Sequence, residues 1–249
     1  MILQKILKII AIFISILLIW QIVVTLTSIE HYILPSPNRV LIALNQNYGI
    51  LYKHSVITFS EIILGLILGV GLGFFSALLM GYYKLARDWL MPIVVISQAI
   101  PVFALAPILV LWIGYGLASK IAMATIIIYF PITAALLDGL IRTNKEQIYL
   151  AKIMGASSWS IIKNIKLPSA MPSFASGVRI GAAVAPIGAV VGEWVGSSGG
   201  LGYLMLHANA KMQIDLMFAA LFILASIATL TYFSIDKLMK NLIYWSAQS

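Results

Sequence analysis

Ionisable groups are scarce in this chain, and several fall where a charge is expensive. Glu61, Arg179 and Glu193 lie inside or at the edge of long apolar runs, and Asp138 closes another. On insertion scales an Asp, Lys or Arg at the centre of a membrane helix costs roughly 2.5–3.5 kcal/mol, so such residues are functional candidates by default. Glu193 is the strongest: it sits in Gly192-Glu193-Trp194-Val195-Gly196, beside an aromatic and ahead of Gly196-Ser197-Ser198-Gly199-Gly200. Glu61 is placed to reach interfacial water, Asp138 likewise, and Arg179 to snorkel or to pair with a carboxylate. Gln98, in Ser97-Gln98-Ala99-Ile100-Pro101, is an amide inside an apolar run. It suits interhelical hydrogen bonding or the lining of a polar path.

Other chemistries lack their residues. There is no cysteine, and the three histidines, His31, His54 and His207, are far apart in sequence. Disulfides, thiolate metal sites and cysteine nucleophiles are thereby excluded. Gly114-Tyr-Gly116-Leu-Ala-Ser119-Lys120 departs from a phosphate-binding loop, because Ser119 stands where the glycine before the lysine belongs and no strand precedes it. Gly69-Val-Gly71-Leu-Gly73 lies within an apolar run. The chain has no visible means of hydrolysing ATP. An enzyme using Glu61, Asp138 or Glu193 as acid or base needs a second group beside it, and no carboxylate pair or Ser/His arrangement stands out.

Of the 249 residues 61% are hydrophobic and 10% charged, with a mean hydropathy of +1.02. A soluble domain is nearer about 45–50% apolar, so this is an integral membrane protein. Six runs meet the length of about 20 apolar residues that a spanning helix requires: 6–27, 56–81, 89–113, 118–138, 172–195 and 213–235. The net charge of +8 sits in the flanks of these runs. Lys5, Lys8, Lys84, Arg87, Arg142, Lys145, Lys152, Lys163, Lys166, Lys237 and Lys240 fall on one side, against Arg39, Lys53, Lys120 and Lys211 on the other. That asymmetry places both termini and the 139–171 loop in the cytoplasm, and no basic patch with interleaved aromatics points to nucleic acid. The apolar run at the N-terminus continues to about Leu26 without a small-residue cleavage site and reads as a retained span.

Local signals position these elements. Gly65, Gly69 and Gly73 recur every four residues, a flat strip that permits close helix approach. Pro101 and Pro107 free backbone carbonyls and kink the third run. Leu34-Pro35-Ser36-Pro37 is extended, with a surface helix after it around Val40, Leu41 and Leu44. In the cytoplasmic loop, residues 147–154 form a short helix, Gly155 ends it in the left-handed conformation, and Ser157 or Ser158 caps a second. On that second helix Ile161, Ile162 and Ile165 share a face, and Pro168, lacking an N–H, stops it.

The stretch Gln147 to Pro168 resembles the cytoplasmic EAA loop of permease subunits of bacterial binding-protein-dependent ABC importers, which reads Glu-Ala-Ala, three residues, Gly, nine residues, Ile, one residue, Leu-Pro. Ala151, Gly155, Ile165, Leu167 and Pro168 stand at the required spacing, while Tyr149 and Leu150 replace the Glu and first Ala. Leu34-Pro35-Ser36-Pro37 followed by Val40 is similar to the nitrate, sulfonate and taurine branch. So is Glu193 followed by Gly199-Gly200-Leu201-Gly202-Tyr203, which in that branch lies near the translocation path and outer gate. Phe103-Ala-Leu-Ala-Pro107, Trp112-Ile-Gly114-Tyr-Gly116 and Gly192–Gly196 look most like permeases for thiamine pyrimidine precursors.

The resemblance implies an all-α integral membrane protein with six transmembrane helices of the type I ABC importer permease kind, in a bacterial inner membrane. It implies one domain over 1–249, with an N-terminal span and outer loop to about 55 and core spans over 56–235. Ala151, Gly155, Ala156, Ser157, Ile165, Leu167 and Pro168 would couple to an ATPase; Gln98, Glu193, Trp194 and Tyr203 would line the path or gate. The implied partners are cytoplasmic ATPase subunits that bind the ATP and Mg, a second permease copy or paralogue, an extracytoplasmic solute-binding protein and membrane lipid. No cofactor is implied for the chain itself.

Overall fold

The computed structural model describes residues 2–245, except for the side chains of residues 2–10, Phe13 and Ala99. Among the described residues it is helical, with no strand. In chain order the helices are α1 (Ile2–Thr27), α2 (Pro37–Gln46), α3 (Tyr48–Tyr82), α4 (Lys84–Ala99), α5 (Val102–Ile113), α6 (Leu117–Ile141), α7 (Lys145–Ile153), α8 (Ser158–Ile161), α9 (Leu167–Gly196), α10 (Leu201–Ala210) and α11 (Ile214–Leu242). A π-helical turn, Ile162–Lys166, joins α8 to α9 without interruption.

Among the described residues four helices are long and apolar enough to cross a membrane: α3, α6, the continuous Ser158–Gly196 rod and α11. The expected third span is broken rather than kinked. α4 and α5 meet at 105° around Ile100 and Pro101, and together they make a fifth crossing if the bent pair is one span. Within α1 the described apolar helix is Ile14–Thr27.

A second departure concerns Pro168. It does not end the second loop helix; it lies in the first turn of α9, and the helix continues to Gly196. The π-helical turn just before it explains this. A proline removes one hydrogen bond and crowds the carbonyl four residues back, and a wider turn there relieves both. Burial then selects the face: Ile161 and Ile162 are buried and Lys163 is exposed, as the spacing requires.

α6 is the central helix. Its row Ala124, Ile128, Ile132 and Leu140 packs on the four-residue repeat of Gly65, Gly69, Gly73 and Gly81 in α3. A Cβ on Gly65 would lie 2.6 Å from the Ala124 Cβ, so the glycine strip is what lets the backbones close. On its other side α6 receives α9, where a Cβ on Gly188 would sit 2.6 Å from the Ala124 Cα. The buried residues Ile62, Leu66, Met80, Leu136, Phe174 and Val178 fill the space between the three helices.

A smaller cluster, Val40, Ala43, Leu51, Leu201, Leu204, Ala219 and Ala220, binds α2 and α10 onto α3 and α11. α2 is the expected surface helix, with Ser36 as its N-cap and Pro37 at its first position. Its Arg39 pairs with Asp215 of α11 at 3.2 Å. α10 follows the glycine run that reads in sequence only as a flexible turn.

Candidate functional site

The polar groups that matter converge where α3, α6, α9 and α10 meet. A helix start leaves its first N–H groups without intrahelical partners, and α10 satisfies its own entirely with side chains from other helices. The Gly200 N–H donates to His54 Nδ1 (2.9 Å) and the Leu201 N–H to Thr58 Oγ1 (2.7 Å). The Gly202 and Tyr203 N–H groups both donate to Glu193 Oε2, the latter at 3.2 Å. Thr58 completes the set by donating its hydroxyl to Glu193 Oε1 at 2.6 Å. The Glu193 carboxylate thus sits at the positive end of the α10 dipole.

Glycine makes this approach possible. Gly200 has φ of +108°, and a Cβ there would lie 2.1 Å from the Glu193 carboxyl carbon. Trp194 and Tyr203 frame the cluster: the Trp194 indole N–H donates to the Gly202 carbonyl at 3.1 Å, and the Tyr203 ring stacks between His54 and His207.

Directly behind lies an ion pair. Lys120 Nζ of α6 is 3.1 Å from Glu61 Oε1 of α3, and both side chains are almost wholly buried. The Glu61 carboxyl also lies against that of Glu193. Glu61 therefore does not meet interfacial water, and Lys120 is not an outer-loop lysine; each is buried because the helices close over it. Of the three candidate carboxylates, the fold brings Glu61 and Glu193 together. Asp138 is far off at the C-terminal end of α6, exposed and paired with Arg142 at 2.8 Å. Arg179 pairs with Asp236 of α11 at 2.7 Å, and Lys240 joins the same carboxylate. Gln98 is exposed at the end of α4, next to the break.

Sequence reasoning missed His54, Thr58 and Lys120. The first two had a signal: with Glu61 they fall at i, i+4 and i+7 on one face of an apolar helix.

At the opposite end the loop residues form a defined turn. The Ala156 N–H reaches the Ala151 carbonyl (2.9 Å) and the Gly155 N–H the Lys152 carbonyl (3.0 Å), with Gly155 at φ +80°. This is a Schellman ending. Ser157, not Ser158, caps α8 by accepting the Ser160 N–H at 3.2 Å. The turn exposes Leu150, Ile153 and Met154. A shallow hollow of about 350 Å³ lies beside them, lined by Leu150, Ala151, Met154, Ile165 and Pro168. Trp159 meets Tyr82, at the end of α3, with rings 6.1 Å apart.

The chain belongs to the binding-protein-dependent transport system inner membrane component family, whose model matches residues 69–243. It is 57% identical over 230 residues to a probable ABC transporter permease protein of Haemophilus influenzae, covering 92% of this chain and 94% of that one. It is 36% identical to the formylaminopyrimidine transport permease protein ThiX of Halalkalibacterium halodurans, with coverage of 94% and 93%. Among solved structures, an amino acid ABC transporter matches with a TM-score of 0.64 at 14% identity, covering 82% of this chain and 97% of that one. The inward-facing MetNI methionine ABC transporter matches at 0.60 and 22%, covering 78% and 94%. The fold is thus that of type I ABC importer permeases, and the chain is a multi-pass inner-membrane permease subunit of an ABC importer. The relatives are transport permeases, which gives the acid–base enzyme reading no support.

Proposed function

We propose that this permease forms the translocation path of an importer for a small nitrogen heterocycle of the pyrimidine-precursor type, handed over by an extracytoplasmic binding protein. The similarity supports this class: the relatives named for formylaminopyrimidine and riboflavin transport are 36% and 35% identical, those for aliphatic sulfonates and taurine 28% and 29%. Six spans with both termini in the cytoplasm, and a single transmembrane domain, complete the reading.

The observation that carries the mechanism is the Schellman turn at Gly155, which presents Leu150, Ile153 and Met154 on a polar loop. Exposed apolar side chains there fit a groove on a cytoplasmic ATPase, which binds ATP and Mg. Ala151, Gly155, Ala156, Ser157, Ile165, Leu167 and Pro168 shape that face. α8, the π-helical turn and α9 form one continuous helix, so displacement of the loop is passed along about 53 Å of rod, at 1.5 Å per residue, from Ser158 to Glu193. Two permease chains, as copies or paralogues, enclose the path between inward-open and outward-open states. Gln98, Glu193, Trp194 and Tyr203 line the path or its gate.

The test is purification followed by uptake. The chain expressed with its neighbouring genes should bring down an ATPase subunit, and the reconstituted complex should take up labelled formylaminopyrimidine in preference to taurine. Recovery without any ATPase, or a preference for taurine, would refute the corresponding half of the proposal.

A further inference from the structure

Buried charge in this chain is gathered at one junction. Among the described residues the buried acidic and basic side chains are Glu61, Lys120 and Glu193, one each from α3, α6 and α9, with His54 beside them. Two carboxyls and one ammonium do not balance. With both carboxyls ionised the cluster carries one uncompensated negative charge, and a buried charge without a counterpart is strongly disfavoured.

The contacts locate the imbalance. The Glu61 and Glu193 carboxyls lie against each other. Two carboxylates offer one another only lone pairs, so such a contact is repulsive in a buried site. One proton between them turns it into a charge-assisted hydrogen bond.

The remaining partners say which carboxyl carries that proton. Glu193 already accepts the Thr58 hydroxyl and the Gly202 and Tyr203 N–H groups. No backbone N–H or hydroxyl reaches Glu61, whose Oε1 faces Lys120 Nζ at 3.1 Å. A proton on Glu61 gives it a donor for Glu193 and leaves Oε1 to accept from Lys120. The cluster is then neutral, with one carboxylate and one ammonium. The groups around it have no proton to spare for this contact. His54 Nδ1 accepts the Gly200 N–H, the Thr58 hydroxyl is spent on Glu193, and the Tyr203 ring stacks between His54 and His207.

We propose that Glu61 and Glu193 form a proton-binding site, in which Glu61 is held as the neutral acid and donates to the Glu193 carboxylate that caps α10. Glu61 is a positioning residue: its proton lets Glu193 remain a charged acceptor at the positive end of the α10 dipole. The site operates with α10 in its place, seated by buried Leu201, Leu204 and Ala208. It stands whatever solute the permease carries.

The test is infrared spectroscopy of the purified complex in lipid, paired with thermal midpoints of the permease read by size-exclusion. Glu61→Gln replaces the acid with an amide that also donates to Glu193 and accepts from Lys120. The wild-type minus Glu61→Gln spectrum at neutral pH should show one carboxylic-acid carbonyl band, shifted in heavy water. The same band should vanish from the wild type on alkaline titration, a readout that needs no variant. Because no charge is lost, Glu61→Gln should keep the neutral-pH midpoint to within about 2 °C. Removing an ionised Glu61 would move it further, in either direction. Raising the pH withdraws the proton and sets two carboxylates in contact, so the wild-type midpoint should fall more than that of Glu61→Gln. Absence of the acid band, or parallel alkaline falls in the two proteins, overturns the proposal. A complex that takes up no solute yet shows the band overturns the permease proposal alone, so the two failures are distinct.

Discussion

Replacing Gly155 by valine isolates the contribution of one backbone conformation. Gly155 has φ of +80°, and no atom lies within 4 Å of where its Cβ would be. The substitution thus meets no neighbour; its whole cost is conformational. A side chain in the left-handed region costs roughly 1–2 kcal/mol, with β-branched residues the worst placed. That shifts the balance between the native turn and its alternatives about 5–30-fold. The Ala156-to-Ala151 and Gly155-to-Lys152 hydrogen bonds depend on this turn, and with them the aim of α8. The membrane core is untouched, so Gly155→Val should express and insert normally. Binding of the ATPase subunit and solute uptake should both fall about tenfold. Asn tolerates the left-handed region, so uptake should rank Gly, Asn, Ala, Val. The assay is co-purified ATPase per permease together with uptake into membranes, and full uptake by Gly155→Val would refute the coupling role of the turn.

Glu193→Gln keeps the side-chain shape but weakens charge-assisted hydrogen bonds worth about 1.5–3 kcal/mol each; assembly should persist while uptake and solute-stimulated ATPase activity fall, and wild-type values for both would remove Glu193 from the gate. Gly200→Ala should be more severe, because its Cβ would land 2.1 Å from the Glu193 carboxyl carbon at a positive φ; loss of complex by size-exclusion is the expected result, and normal assembly would contradict the clamp. Gly65→Ala places a methyl 2.6 Å from Ala124 Cβ and should lower the thermal midpoint, whereas adding Ala124→Gly should recover most of the loss; no recovery would mean that the α3–α6 approach is not set there. Cysteines at the exposed positions Ser158 and Ser198 should label from opposite sides of the membrane, since the continuous rod separates them; labelling from one side would reject the topology.

The sequence by itself determined what local rules decide. Hydropathy defined the apolar spans because lipid leaves a backbone no partner but itself. The turn at Gly155 was legible because its glycine, flanking helix and serine cap lie within a dozen residues. The glycine strip of α3 was legible because four-residue spacing is a helix face. The tertiary structure alone decided which partners those faces meet. Pro168 reads as a helix stop, yet the π-helical turn before it carries the chain through. Lys120 reads as a loop charge near the start of a span, yet α3 and α9 close over it and set it against Glu61. Glu193 stood out as a costly charge, but not as the cap of α10, because Thr58, which donates to it, lies 135 positions earlier. Costs of burial are local and appear in sequence; the groups that offset them are brought by packing, and packing is a property of the whole chain.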